Sequence, residues 1–111
     1  SHGMKNKIEG DLKINDKVYV IEDLISSGKS SIRAINIIRE FGAEILGLGA
    51  IFSYGFEESF ENFKNASCNF STLSNYSILI DIAFEKKYIS KSDLKILNQW
   101  KKSPSNWMKD A

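Results

Sequence analysis

The sequence is poor in residues that cross-link or punctuate a chain. Its 111 residues hold one cysteine, one proline and one histidine. The lone Cys68 excludes an internal disulfide and any site built from clustered thiolates. Its expected role is a small packed side chain, and a single thiol suits the reducing cytoplasm. One proline, Pro104, excludes a Pro-rich linker. Charge of either sign is not in excess: 15 Lys and Arg against 14 Asp and Glu give a formal net charge of +1. With no long basic run, electrostatics do not suggest nucleic acid as a partner. No apolar run is long enough to span a bilayer, so no membrane partner is expected.

What remains is the composition of one small globular domain. Hydrophobic residues make up 42% and charged residues 26%, enough to bury a single modest core at this length. The apolar pattern alternates strand with helix. Strands are expected at about 17–21, 44–52 and 69–71, and helices at about 30–41, 57–65, 74–85 and 91–101. Ile32, Ile35, Ile38 and Phe41 share one helical face, and Gly42 stops that helix. Phe60 and Phe63 are expected to point inward, and the helix at 74–85 carries Leu79, Ile82 and Ala83. Gly47 and Gly49 suggest close approach of a neighbouring backbone. Ser90 with Asp93 three residues on reads as a capping box. The alternation implies an α/β fold, a parallel sheet flanked by helices with right-handed crossovers. It has fewer strands than a complete doubly wound domain.

The chemistry concentrates between Val18 and Ser31, VYVIEDLISSGKSS. Val18, Tyr19, Val20 and Ile21 are apolar without clean alternation, as in a strand covered on both faces. Two acids follow, Glu22 and Asp23, then Leu24 and Ile25, then the turn Ser26, Ser27, Gly28, Lys29, Ser30. A helix begins directly after it. Gly28 permits backbone geometry closed to other residues. The N–H groups and dipole of the helix start attract an anion, and the hydroxyls add donors. A Walker A loop is excluded, because its first glycine would fall on Asp23, and GxGxxG is absent. Paired acids repel a bare polyphosphate but accept hydrogen bonds from sugar hydroxyls or meet a Mg²⁺ carried by the ligand. The segment therefore suits a sugar monophosphate, with phosphate in the turn and ribose against the acids.

EDLISSGKS resembles the phosphoribosyl-pyrophosphate (PRPP) signature of the type I phosphoribosyltransferases. HGMKNKIEG (2–10), AIFSYGF (50–56), TLSNYSILI (72–80) and QWKKSPSNW (99–107) resemble bacterial orotate phosphoribosyltransferase, in the same order and at the same intervals. The likeness covers essentially the whole chain. It implies a partial type I phosphoribosyltransferase fold, the C-terminal half of such an enzyme, with 1–10 as a remnant of the mobile loop. Ser1-His2-Gly3-Met4 also has the look of a tag remnant, but the spacing of His2-Gly3 and Asn6 before Ile8-Glu9-Gly10 favours native sequence.

The resemblance also implies roles. Glu22 and Asp23 meet the ribose hydroxyls of PRPP, within a binding segment that includes Leu24 and Ile25. Ser26, Ser27, Gly28, Lys29 and Ser30 wrap the 5′-phosphate. Ser26 also matches a position that contacts orotate, and His2 a loop histidine that closes over the pyrophosphate. The implied reaction moves ribose 5-phosphate from PRPP to orotate, giving orotidine 5′-phosphate and pyrophosphate on the route to UMP. Mg²⁺, a homodimer and a cytoplasmic location come with it, and the 111-residue chain alone is expected to be inactive. Some members place an arginine after the strand ending near Phe52 to meet the orotate carboxylate. Here Ser53-Tyr54-Gly55-Phe56 stands instead, which leaves that partner unassigned, with Tyr54 and Phe56 expected to pack against the sheet. Two other readings stay open: a PRPP-dependent transferase for a purine or uracil, and a non-enzymatic PRPP- or nucleotide-binding regulator.

Overall fold

The computed structural model describes residues 8–106. Its elements run β1 (Lys17–Ile25), α1 (Lys29–Phe41), β2 (Glu44–Ser53), α2 (Glu57–Asn65), β3 (Phe70–Asn75), α3 (Tyr76–Glu85), α4 (Lys91–Lys102) and a 3₁₀ turn, Pro104–Asn106. The three strands form a parallel sheet in the order β1-β2-β3. β1 and β2 carry a bulge: Val18 faces Ile45 but Tyr19 faces Gly47, so Leu46 is the extra residue.

The crossover helices α1 and α2 share one core on one face of the sheet. Ile25, Ile35, Leu48, Ala50, Phe63 and Cys68 are buried there, with Val20, Ile32, Ile45 and Phe70 packed against them. Phe63 stacks on Phe70 at 4.3 Å between ring centroids. Cys68 fills the core as expected, and burial pushes its thiol up despite the nearby Arg39 guanidinium. Arg39 closes the end of α2 by donating to the carbonyls of Ala66 and Ser67.

The opposite face differs from the sequence expectation. Tyr19, Ile21, Ile51 and Leu73 are 50%, 72%, 58% and 86% exposed, so among the described residues the sheet is covered on one side only. β1 does alternate, half-buried toward the helices at Val18, Val20 and Glu22 and exposed at Tyr19, Ile21 and Asp23. Apolar residues on the open face had hidden that period. The close backbone expected is present at Gly47, where a Cβ would lie 3.3 Å from the Asn69 carbonyl oxygen, and at both Gly47 and Gly49 a Cβ would also lie 3.1 Å from Tyr19 ring carbons. Phe60 is a further correction. It is 53% exposed, while Phe63, three residues on, is 1% exposed. In α3 the buried residues are Tyr76 and Ile80, whereas Leu79 and Ile82 are exposed.

The ends of the helices follow local chemistry. Gly42, at φ 108°, closes α1, with its N–H donating to Arg39 and that of Ala43 to Ile38. The Ser90–Asp93 capping box forms as expected. The Asp93 N–H donates to Ser90 Oγ at 3.1 Å, and the Ser90 N–H to Asp93 Oδ2 at 3.0 Å. The Ser90 N–H, followed by the Ser90 side chain, holds the Asp93 carboxyl below its ordinary range. A depressed carboxylate stabilises the fold above its unfolded pKa, and that contribution is lost as pH falls through the folded value. Ser90→Ala, which removes the N-cap oxygen of α4, should cost about 1 kcal/mol. Asp93→Asn should flatten the acid limb of stability, read by thermal melts between pH 2 and 6.

Candidate phosphate and sugar site

The residues of the expected site lie at the carboxyl end of the sheet, where ligands of open α/β folds bind. β1 extends further than expected and includes Glu22, Asp23, Leu24 and Ile25. Neighbouring strand residues point to opposite faces, so the two acids separate. Glu22 is half-buried on the helix side, and its Oε2 accepts the Ser31 hydroxyl at 2.8 Å. Asp23 is exposed on the open side, and its carboxylate makes no hydrogen bond or ion pair among the described residues. Ile25 is 1% exposed, so its side chain belongs to the core and its place in the binding segment rests on backbone. Leu24 is 45% exposed.

The turn has the geometry that an anion needs. Gly28 is the cap of α1 at φ 84°, ψ 2°, and no side chain caps that helix. The N–H groups of Ser30 and Ser31 in the first turn are therefore left to a ligand or to solvent. The Ile32 N–H donates to the Gly28 carbonyl at 2.9 Å, closing the first helical bond. α1 starts at Lys29, whose N–H leans on Ser27 Oγ at 3.3 Å, with Ser30 exposed beside it. Gly28 is required twice. A Cβ there would meet Phe63 Cε2 at 2.6 Å, and φ 84° is a left-handed geometry that costs other residues energy.

α2 supports this turn in a way that sequence reasoning missed. Asn62 Nδ2 donates to the Ser27 carbonyl at 3.0 Å, and the Phe63 ring forms the wall behind Gly28. Neither residue carries a motif signal; only the tertiary docking of α2 brings them to the turn. Lys29 points outward to Glu58, with 3.5 Å between Nζ and Oε1 and both side chains mostly exposed. Such a pair contributes little to stability.

A cleft of about 330 Å³ opens beside the turn, between Ser26 and Ser27 on one side and Lys101 and Lys102 on the other. Phe56 lines it, and so do Glu57 and Glu58. Tyr54 and Phe56, stacked at 5.3 Å, join Tyr76 and Trp100 in an aromatic cluster. They pack on α4 and α3 as well as on Phe52 of the sheet. The Tyr76 hydroxyl donates to the Leu97 carbonyl at 3.0 Å, and burial followed by the neighbouring Tyr54 raises its pKa. His2 and Trp107 lie outside the described residues.

Comparisons with known proteins agree with this geometry. No family model matches the chain. An orotate phosphoribosyltransferase of Phocaeicola vulgatus is 46% identical over 106 residues, which cover 96% of this chain and 50% of that protein. One from Cytophaga hutchinsonii is 46% identical over 97% of this chain and 52% of its own length. The Listeria innocua enzyme is 44% identical over the same shares. Among solved structures, Leishmania donovani UMP synthase aligns with a TM-score of 0.68 and 23% identity, over 83% of this chain and 21% of that one. Mycobacterium tuberculosis orotate phosphoribosyltransferase in complex with PRPP gives 0.55 and 19%, over 60% of this chain and 41% of its own.

The parallel sheet and its crossover helices are those of a type I phosphoribosyltransferase fold. By sequence the chain belongs with the orotate phosphoribosyltransferases, over the part of their length that it matches. It spans about half the length of the curated relatives it matches.

Proposed function

We propose that this chain carries the PRPP-binding part of an orotate phosphoribosyltransferase, which forms orotidine 5′-phosphate and pyrophosphate from PRPP and orotate in pyrimidine biosynthesis. The observation that carries this is the turn Ser26–Ser30. Its left-handed Gly28 opens an uncapped helix start at the end of the strand bearing Glu22 and Asp23. The 5′-phosphate takes the N–H groups and hydroxyls of the turn, and the ribose hydroxyls meet the acids. Glu22 has two tasks on this reading, since it also holds Ser31. On this reading Ser26, which lines the cleft beside the turn, meets the base.

Mg²⁺ fits as a companion of the diphosphate more than as a resident ion. No group of three metal-ligating side chains occurs among the described residues, while Asp23 offers one exposed carboxylate. Mg²⁺ commonly binds through one or two carboxylates plus substrate phosphates. Bound there, it would supply charge neutralisation for the leaving pyrophosphate. The chain's own residues position the donor, and no protein nucleophile is needed. A homodimer and a cytoplasmic location complete the reading. Among the described residues no helix is long and apolar enough to cross a membrane.

The test follows orotate absorbance in the intact protein with PRPP and Mg²⁺, beside uracil, adenine and hypoxanthine. Consumption of orotate alone supports the reading. Use of another base keeps the donor site and overturns the acceptor, and binding of PRPP with no base consumed favours the regulator. The 111-residue chain alone should bind PRPP weakly without turnover. Asp23→Asn should weaken PRPP binding about 10-fold, the scale of one charge-assisted hydrogen bond, with the melting temperature unchanged. Unchanged affinity would remove Asp23 from the site.

A further inference from the structure

Lys101 is a cation in an unusual position. It lies near the end of α4, half-buried, and makes no ion pair among the described residues. Its Nζ donates to Ser77 Oγ at 2.8 Å, which fixes the ammonium between α4 and α3. Its Cε and Nζ stand 3.4 Å from where a Cβ at Gly55 would lie, so the side chain runs across the Tyr54-Gly55-Phe56 segment after β2. It lines two clefts at once. One holds Ser26 and Ser27 of the phosphate turn; the other, of about 370 Å³, holds Ser53, Asn75 and Ser77. These residues sit at or just beyond the carboxyl ends of all three strands.

We infer that Lys101 is the specificity-determining cation that receives the carboxylate of the pyrimidine acceptor, an inference that rests on the reading above. The chemistry of the cleft selects the ligand. A half-buried ammonium without a counter-ion favours an anion. Glu57 and Glu58 line the same cleft and disfavour a second phosphate-rich group, whereas a planar ring with one carboxylate adds a single charge. Phe56 offers that ring an aromatic surface. Gly55, at φ 71°, keeps the path along Lys101 free of a side chain. The cation thus comes from the QWKK tail, and no arginine after β2 is needed.

The experiment is steady-state kinetics of the intact protein as wild type, Lys101→Met and Lys101→Arg, with orotate and PRPP varied separately. Loss of one charge-assisted contact predicts that Lys101→Met raises the orotate KM about 10- to 100-fold, while the PRPP KM stays within twofold. Lys101→Arg should restore most of the loss. If Lys101→Met fails to fold, Lys101→Gln keeps a donor for Ser77, removes the charge and should show the same split. An unchanged orotate KM in a folded, charge-free variant overturns the assignment. So does an equal rise for both substrates, which would place Lys101 at the phosphate or in a structural role. A wild type that consumes PRPP with another base but not orotate defeats the functional reading itself, a result visible before any variant is made.

Discussion

Gly28→Ala is expected to abolish anion binding by the turn and to lower the melting temperature by about 10 to 30 °C. Two independent costs add. Holding an alanine at φ 84° costs about 1–2 kcal/mol, because its Cβ crowds the following carbonyl. The same Cβ would also lie 2.6 Å from Phe63 Cε2, and relieving such an overlap in a packed core costs about 1–3 kcal/mol. The overlap cannot be relieved by moving the turn away. Asn62 ties the Ser27 carbonyl to the same helix that carries Phe63, and Glu22 holds Ser31 from the other side. Thermal melts and titration with inorganic phosphate check the single variant. The double variant Gly28→Ala, Phe63→Leu separates the terms, because it removes the ring contact and keeps the backbone cost. Full recovery in the double variant would show that left-handed geometry is unimportant here.

How much of this was legible in the sequence depends on the range of the interaction. The Ser90–Asp93 box and the Gly42 stop were readable because each is settled within a few residues. The turn was readable for the same reason. The end of β1 was not. Adjacent acids are depleted in strands, so Glu22 and Asp23 looked like a boundary. They are tolerated because β1 is an edge strand among the described residues, with Asp23 exposed and Glu22 satisfied by Ser31 on the next helix. The open face was misread because Tyr19, Ile21, Ile51 and Leu73 are apolar and exposed, which erases the period of two. Phe60 and Phe63 shared a helical face by spacing. Which of them is buried depends on how a nine-residue helix docks, and the sequence does not encode that locally. Asn62, Phe63 and Lys101 were invisible as site residues for a related reason, since each reaches the turn from a distant part of the chain, 35 residues away for the Asn62–Ser27 bond.

Phe63→Ala should be the most destabilising single change in the core, by about 3–5 kcal/mol. The ring is 1% exposed, stacks on Phe70 and walls the phosphate turn, so its loss leaves a cavity shared by the core and the site. Leu48→Ala is the matched comparison. Leu48 is 0% exposed in the central strand, five residues before the strand's carboxyl end, and its truncation should cost about 2–5 kcal/mol. If Phe63 only fills space, the two variants should bind inorganic phosphate equally well at temperatures where both are folded. The geometry predicts otherwise. Phe63→Ala removes the surface against which Gly28 rests, so the turn gains room to relax and its N–H groups lose their shared aim. Phosphate affinity should therefore fall in Phe63→Ala and stay near wild type in Leu48→Ala, measured by calorimetry well below both melting points. Equal affinities would mean that the Asn62 and Glu22 tethers alone set the shape of the turn, and that the aromatic wall serves stability only.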